Sequence, residues 1–414
     1  MNIGIIIGRI GGVDGVALET LKWIDVLEKM GHKTFIISGD FENWQMVDPI
    51  HYKFPVLSFF SPEADWEQRK AFFEPDDNVD QLMSHIHQIA DDIEKKIEDW
   101  VVFNKIDVIL SENASALPCH ISMGLGIKKF IERTSHPIVT HDHDFHWERG
   151  DRYKSPHKEV NQLVNETFPL LIPHVKHAVI NTFGVNTFKK LFKIDAVNVP
   201  NVMDFNKPYG VPTEENKFFL RRMGVAQDEL ALLQVTRIVR RKGIETAIEL
   251  MHKLNDPKLK LVITGNYQDD EYNAYYKELV DQIYSYGLMK QVIFGHENVL
   301  NHMDLSDVYA HGTACTYFST YEGFGNAFVE AILAKKPIFV NNYKPVYWPD
   351  IGSKGFRAEM IEDSKLTDES VKRMSEVIYN PRLAREIGEY NFELGKKHFS
   401  YEVLEEKLTE LFSF

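Results

Sequence analysis

Short apolar segments alternate with longer segments of helical periodicity along most of the chain. The short segments end in Gly, Asn, Asp or Ser, whereas the longer ones repeat apolar residues every three or four positions. This alternation is typical of parallel βαβ units, because strands buried on both faces read as continuous apolar runs. The predicted strands are residues 2–8, 33–38, 107–112, 137–142, 178–182 and 196–200, then 230–237, 259–265, 291–296, 313–319 and 337–342.

The two groups of predicted strands indicate two domains. A chain of 414 residues is too long for one ordinary hydrophobic core and suits two domains. We therefore predict an α/β fold with two Rossmann-like, doubly wound domains that divide in the Pro- and Asn-rich segment 198–210. The first domain would span residues 1–200 and the second residues 201–397. Ligands of such sheets bind at the carboxyl ends of the strands, so a cleft between facing domains is the expected site.

Composition excludes several classes of partner. The 47 Lys and Arg against 61 Asp and Glu give a formal charge of -14, which argues against nucleic acid and anionic bilayer surfaces. No apolar segment approaches the length needed to span a membrane, and the N-terminus has no basic leader. Cys119 and Cys315 are far apart in the sequence, so a disulfide scaffold is not expected. The expected location is the reducing cytoplasm. The oligomeric state stays open.

The segment 320–340 contains two carboxylates eight residues apart. Glu322 and Glu330 flank a Gly-Phe-Gly-Asn run, in which glycine permits a tight turn and Asn326 is a good N-cap for a helix. The first amides of that helix would attract an anion. The structural alternative is a common Glu-Gly turn followed by a solvated helix face.

Basic residues follow the first predicted strand of the second domain. Arg237 and Lys242 precede a turn at Gly243 and a helix with apolar residues at helical spacing. Fixed positive charge of this kind offsets the charge that develops on a departing diphosphate. The alternative is a solvated basic loop.

Two glycines follow the first predicted strand of the first domain. Gly11 and Gly12 lie in a strand-to-helix turn, where backbone N–H groups can approach a phosphate closely. The strict G-x-G-x-x-G dinucleotide fingerprint is absent, so the turn is by itself weak evidence.

Polar residues cluster at the end of the strand 137–142. His141 would emerge at the carboxyl end, followed by Asp142, Trp147 and Arg149, side chains suited to sugars and small acids. Alternating imidazoles and carboxylates also suit a metal, but no Cys or distant His completes a ligand set, so no metal is predicted. A polar loop at the strand end is the remaining alternative.

Taken together, these motifs resemble those of the retaining GT-B glycosyltransferases of family 4, the glycosyl transferases group 1. Residues 322–331 and Pro337 match the EGFG…EA form of the E-x7-E signature. Residues 237–243 resemble the GR-x4-KG element, with Thr236 in place of its glycine. Asn201 matches the PNGVD linker motif, with Val202 in place of glycine.

The resemblance implies a hexosyltransferase that takes its sugar from a nucleotide sugar, GDP-hexose or UDP-hexose, with retention by a front-side route. It implies no required cofactor and no metal, and it places a terminal helix, residues 398–414, against the first domain. Arg237 and Lys242 would hold the diphosphate, Glu330 the ribose and Glu322 the sugar hydroxyls, with His141 beside the donor sugar. The implied catalytic residues are His141, Arg237, Lys242 and Glu322, and the implied donor-binding residues are Gly11, Gly12, Asn201, Arg237, Lys242, Phe324, Gly325, Asn326 and Glu330.

The expected acceptor is a small soluble molecule, since the chain is acidic and its predicted helix 80–100 has more acid than base. Segments 8–23 and 141–149 resemble those of synthases that make small glycosides used as compatible solutes, so a glycoside such as glucosylglycerate is one candidate. The predicted acceptor-binding residues are Arg9, Asp142, Trp147 and Arg149. The aromatic segment 54–77 is either a loop bordering this site or a packed excursion. Alternatives are a GT-B sugar-nucleotide epimerase, a catalytically silent nucleotide-sugar binding protein, and a transferase with a lipid or polysaccharide acceptor.

Overall fold

The computed structural model describes residues 1–12, 14–268, 271–296, 299 and 302–414. The chain divides into two compact units, the first comprising Met1–Pro200 with Glu402–Phe414 and the second comprising Asn201–Tyr401. Each unit contains one sheet whose paired strands are all parallel. The predicted α/β fold with two Rossmann-like sheets is therefore confirmed.

The first unit holds a seven-stranded sheet in the order β3-β2-β1-β4-β5-β6-β7. The strand order reverses between β1 and β4, which is where open α/β sheets place their ligands. The strand β3 was not predicted, because it is a three-residue edge strand of polar sequence. The strands are β1 Asn2–Ile10, β2 Lys33–Phe41, β3 His51–Lys53, β4 Val108–Glu112, β5 Ile138–Asp142, β6 Lys176–Val179 and β7 Val197–Asn198.

Helices of the first unit pack apolar faces on this sheet, and α3 and α4 contribute residues such as Ile93, Ile97, Ile127 and Ile131 to one buried cluster. The helices are α1 Gly15–Lys29, α2 Pro62–Gln68, α3 Val79–Asn104, α4 Ile121–Thr134, α5 Lys158–Thr167 and α6 Thr182–Thr187.

The aromatic segment 54–77 is largely helical. It contains a 3-10 turn at Pro55–Leu57, the helix α2 and a π-helical turn at Arg69–Phe73. Ser61 caps α2 by accepting a hydrogen bond from the backbone N–H of Ala64, 3.1 Å away. Of the two alternatives that the sequence left open for this segment, the packed excursion describes it.

The second unit holds a six-stranded sheet in the order β10-β9-β8-β11-β12-β13, with its reversal between β8 and β11. Its strands are β8 Leu230–Gln234, β9 Leu259–Ile263, β10 Val292–Phe294, β11 Ala314–Tyr317, β12 Ile338–Asn341 and β13 Glu359–Ile361. The helices that follow in the chain are α7 Phe219–Arg222, α8 Ile244–Leu254, α9 Ala274–Ser285, α10 His302–His311, α11 Asn326–Leu333, α12 Tyr347–Asp350, α13 Asp368–Ile378, α14 Pro381–Phe399 and α15 Tyr401–Leu411.

The last helix, α15, belongs to the first unit from Glu402 onward. Leu404, Leu408 and Leu411 are its buried residues, and they follow one another at helical spacing. Beyond the helix, the ammonium group of Lys176 at the start of β6 donates to the backbone oxygen of Ser413 over 2.5 Å. Among the helices that the structure describes, none combines the length and apolar character needed to cross a membrane.

Several predicted strands end earlier than expected. The strand predicted over 230–237 ends at Gln234, and the one predicted over 313–319 ends at Tyr317. Thr236 and Ser319 lie beyond these strand ends but are still buried. The sequence there keeps the pattern of a buried strand, although the backbone has already turned. These early ends matter, because the loops that follow β8 and β11 carry the polar groups of the second unit.

Candidate active site

Lys242 and Glu322 meet at the carboxyl ends of β8 and β11. The Lys242 ammonium Nζ lies 2.5 Å from Glu322 Oε1, although the two residues are 80 positions apart in the chain. Both side chains are about nine-tenths buried, with 11% and 9% of their surfaces exposed. β8 and β11 are neighbours in the sheet, and this adjacency brings the two loops together.

Arg241 is a third member of this ion-pair cluster. Its guanidinium NH1 donates to Glu322 Oε2 over 2.9 Å and to the backbone oxygen of Tyr321 over 3.0 Å. The sequence motif predicts Arg237 and Lys242 as the cations of the site, and it does not predict Arg241. A fork-shaped donor opposite a buried carboxylate is a strong pairing, but nothing in the local sequence distinguishes one arginine of this loop from another.

The charges of this cluster are set by competing effects. Burial acts to raise the pKa of Glu322, but the positive charges of Lys242 and Arg241 outweigh it and lower that pKa, so the carboxylate is ionised at neutral pH. Burial lowers the pKa of Lys242, and Glu322 opposes this shift. Arg237 is exposed in the same loop, and its charge also acts to lower the pKa of Lys242. Two cations on the single carboxylate of Glu322, with Arg237 in the same loop, leave excess positive charge for an anionic ligand.

The glycine turn after Glu322 allows a close approach of two chain segments. Gly325 has φ of 131°, and a Cβ atom there would lie 2.2 Å from the Tyr343 hydroxyl oxygen. That hydroxyl donates to the backbone oxygen of Phe324 over 2.8 Å, which fixes the turn. The Phe324 ring is buried and packs against the Phe399 ring. The side chain of this predicted donor-binding residue therefore belongs to the protein interior.

Asn326 was predicted as the N-cap of the following helix, and this was wrong. Gly325 is the cap residue, Asn326 is the first residue of α11, and no side chain caps this end. Asn326 instead accepts a hydrogen bond from Asn201 Nδ2 to its side-chain Oδ1 over 2.7 Å. Asn201 is 6% exposed, and its own Oδ1 has no hydrogen-bond partner in the described structure. The first amides of α11 are therefore not occupied by a capping side chain, which suits an anion.

Glu330 lies one turn into α11 in a different surrounding from Glu322. Its Oε2 accepts a hydrogen bond from the Tyr309 hydroxyl over 3.3 Å, and the Tyr209 ring lies 5.7 Å from the Tyr309 ring. Burial and the Glu330 charge raise the pKa of Tyr309 well above its ordinary value. The structure thus gives the two carboxylates of the E-x7-E pattern separate partners.

In the first unit, Gly11 and Gly12 follow β1 and lie against Glu42. Gly11 has φ of 85°, and a Cβ atom there would lie 1.9 Å from the backbone oxygen of Glu42. A Cβ atom at Gly12 would lie 2.6 Å from Glu42 Oε2. Arg9, a predicted acceptor-binding residue, pairs with Asp14 at 3.0 Å and with Glu42 at 3.5 Å. An acceptor carboxylate would have to compete with these partners.

His141 is fully buried at the end of β5, where the sequence analysis expected it to emerge from the sheet. The parallel register places it directly beside Glu112 at the end of β4, and its Nδ1 lies 3.0 Å from Glu112 Oε2. The Trp23 ring stacks on the imidazole with a centroid distance of 4.0 Å. The other nitrogen, Nε2, is buried and has no hydrogen-bond partner in the described part of the chain.

The neighbouring strand-end residues take different directions. Asp142 lies on the opposite face of β5 from His141, and its Oδ2 accepts a hydrogen bond from the Thr140 hydroxyl over 2.9 Å. Burial raises the pKa of Asp142 to about 7. Burial also lowers the pKa of His143, and the negative charge of Glu112 opposes this shift.

Trp147 and Arg149 lie in the 3-10 turn His146–Arg149 after β5. The Trp147 ring stacks on Phe145 at 4.7 Å, and the Arg149 guanidinium pairs with Asp144. Both predicted acceptor contacts are thus held by partners within their own loop, although the Arg149 side chain is half exposed.

Two parallel Rossmann-like sheets, with a basic cluster and a helix N-terminus at the strand ends of the second sheet, define the chain as a glycosyltransferase of the GT-B type. The model of the family glycosyl transferases group 1 matches residues 216–394. The chain is 31% identical to the mannosylglucosylglycerate synthase of Thermotoga maritima, over 99% of each chain. The chain belongs to the glycosyl transferases group 1, as its motifs predicted.

A second relative agrees with this assignment, and a solved structure agrees with the fold. The mannosylglucosylglycerate synthase of Petrotoga mobilis is 27% identical, over 96% of this chain and 98% of that protein. The crystal structure of a glycosyltransferase from Rickettsia africae superposes with a TM-score of 0.70 at 16% identity, over 99% of this chain and 97% of that one. The resemblance to synthases of small glycosides is therefore confirmed.

Proposed function

We propose that this protein is a retaining hexosyltransferase that transfers a sugar from a nucleotide sugar to a small soluble acceptor. The observation that carries the proposal is the buried Lys242–Glu322 pair with Arg241, next to the uncapped N-terminus of α11. When the bond between the anomeric carbon and the diphosphate oxygen breaks, its electron pair stays on that oxygen, and fixed positive charge beside the oxygen stabilises it. Lys242, Arg241 and Arg237 supply this charge, and Glu322 holds the first two in position.

In this proposal the donor is a substrate and the transfer step takes no cofactor. The diphosphate binds the basic loop and the first amides of α11, while Glu330 accepts hydrogen bonds from the ribose hydroxyls. Glu322 has two oxygens with four acceptor positions, so it can accept from a sugar hydroxyl and retain its cations. In the first unit, His141 Nε2 is buried and has no hydrogen-bond partner among the described residues, and it is the nitrogen that we propose for a hydrogen bond with substrate. Retention follows a front-side route, in which the departing diphosphate oxygen takes the proton of the acceptor hydroxyl.

The two curated relatives are named as mannosylglucosylglycerate synthases. We accordingly propose GDP-mannose as the first donor to examine, ahead of UDP-hexoses, and glucosylglycerate as the first acceptor. The acceptor carboxylate would bind Arg9 or Arg149 in exchange for their present acidic partners. Both cysteines of the chain are free thiols, and we propose that the reaction takes place in the cytoplasm.

The test is to incubate the protein with a panel of GDP-hexoses and UDP-hexoses, with and without glucosylglycerate, and to measure nucleotide release. We expect release that depends on the acceptor, and an unchanged anomeric configuration in the product by proton NMR. Donor isomerisation without an acceptor would indicate an epimerase instead. Binding of the nucleotide with no turnover of any donor and acceptor pair would contradict the transferase proposal.

A further inference from the structure

Three metal-ligating side chains meet at the ends of β4 and β5. Glu112, His141 and His143 each offer a donor atom, and these atoms lie within 4.8 Å of one another. Glu112 lies 29 residues before His141, so the local spacing of residues 138–153 does not include it. Only the parallel register Glu112↔His141 supplies the third ligand.

The separations suit a small cation after minor adjustment. His141 Nδ1 lies 3.0 Å from Glu112 Oε2, and His143 Nε2 lies 3.9 Å from the same oxygen. Ligands about 2.0–2.2 Å from a tetrahedral ion are separated from each other by roughly 3.3 Å. An ion between the three groups therefore requires His143 Nε2 to approach Glu112 Oε2 by about 0.6 Å. The two imidazole nitrogens, which lie within 4.8 Å of each other, have to approach by up to about 1.5 Å, which a side-chain rotation of His143 can supply.

The cluster also contains a polar atom that lacks a partner. His143 Nε2 is buried and forms no hydrogen bond in the part of the chain that the structure describes. Buried polar atoms normally have a hydrogen-bond partner, so this nitrogen, 3.9 Å from Glu112 Oε2, indicates that a ligand is missing at this position. The backbone N–H of His143 donates to Asn113 Oδ1 over 3.0 Å, which fixes the loop that presents the imidazole.

We propose that Glu112, His141 Nδ1 and His143 Nε2 bind one divalent transition-metal ion, of which Zn²⁺ is the reference case. Two imidazoles and one carboxylate are a ligand set used for this class of ion, with a fourth position left for water or substrate. The side chain of His143 is 10% exposed, whereas those of Glu112 and His141 are fully buried, so an ion would enter on the His143 side of the cluster.

The ion would control what His141 presents to a substrate. Without metal, Nδ1–H donates to Glu112 and Nε2 is a hydrogen-bond acceptor. With metal on Nδ1, the proton resides on Nε2, which becomes a donor. The ion would therefore set the tautomer of the His141 imidazole.

The first test is isothermal titration of the untagged, chelator-treated chain with Zn²⁺, together with metal analysis after dialysis. We expect one ion per chain, and a loss of affinity of about 100-fold or more in His143→Ala, because one of three protein ligands is removed. The matched control is His252→Ala, an exposed histidine of the second unit, which should bind as the wild type does. Equal affinity in wild type and His143→Ala would assign the binding to surface histidines and overturn the proposal.

A second test needs no variant. Co²⁺ in a tetrahedral nitrogen and oxygen site absorbs in the visible range far more strongly than aqueous Co²⁺. We expect such bands at one equivalent, and displacement of Co²⁺ by Zn²⁺ should abolish them. A spectrum equal to that of free Co²⁺ would contradict the site. Both readouts measure binding alone, so their failure would leave the proposed transfer reaction untouched.

Discussion

Lys242 Nζ and Glu322 Oε1 form a buried ion pair at 2.5 Å, between two loops that follow adjacent strands. Breaking one partner of such a pair leaves the other charge buried without compensation. In the proposed reaction, Glu322 also positions Lys242, the cation that stabilises the leaving diphosphate. Substitutions here therefore test both the structure and the chemistry.

Lys242→Ala should lower turnover by about 10²–10³-fold, the usual effect of removing one preorganised group that stabilises transition-state charge. The measurement is acceptor-dependent nucleotide release at saturating donor. Arg240→Ala is the matched control, because Arg240 lies in the same loop but pairs with Glu278 on the surface. A similar loss in both variants would mean that the general charge of the loop, and not Lys242, is responsible.

Glu322→Gln should also abolish most turnover, by about 100-fold or more, because Lys242 and Arg241 lose the carboxylate that positions them. The far-UV circular dichroism spectrum should be unchanged, since glutamine has the same shape. Wild-type activity in this variant would refute the role proposed for the carboxylate.

Glu330→Gln should weaken binding of the free nucleoside diphosphate by about 10-fold or more, because a charged hydrogen-bond acceptor for the ribose is lost. Calorimetric titration with GDP and UDP measures this effect. Tyr309→Phe is the companion variant, since it removes only the hydroxyl that donates to Glu330. If Tyr309→Phe weakens binding and Glu330→Gln does not, the ribose contact is assigned to the wrong residue.

Gly325→Ala should lower the free energy of unfolding by about 1–3 kcal/mol or more, because φ of 131° disfavours a side chain. The added Cβ would also meet the Tyr343 hydroxyl. Thermal unfolding measures the effect, and the double variant with Tyr343→Phe should recover part of it. Gly287→Ala is the control, since φ there is 69° but no atom lies within 4 Å of the added Cβ.

His177 predicts a dependence of stability on pH. Burial lowers its pKa to about 4, from an ordinary value of 6.5, so the folded protein holds the imidazole neutral. The unfolded chain binds the extra proton between these values, and stability is lost as pH falls from about 6.5 to 4, by up to about 1.4 kcal/mol per pH unit.

The variant His177→Gln should therefore have a lower Tm than the wild type at pH 7, with a smaller difference at pH 5. Scanning calorimetry at both pH values measures this. A Tm difference that stays constant between pH 7 and pH 5 would show that protonation of His177 is not the cause.

The elements of the site were largely predictable from the sequence, whereas its contacts were not. The glycine turns, the loop containing Arg237 and Lys242, and the pair Glu322 and Glu330 are readable because turns and helix starts depend on residues close together in the chain. The N-cap prediction at Asn326 failed, because the side chain found a partner in Asn201, 125 positions away. A local preference for capping gave way to a tertiary hydrogen bond.

Apart from the short edge strand β3, the sequence by itself determined the order of strands, the two parallel sheets and the family, because hydrophobic period and motif spacing are local properties. Only the tertiary structure decided which groups meet. It selected Arg241 as the second cation on Glu322, and it placed Glu112 beside His141 through strand register. Such pairings depend on which strands lie next to each other in a sheet, and that order is fixed by the packing of the whole unit.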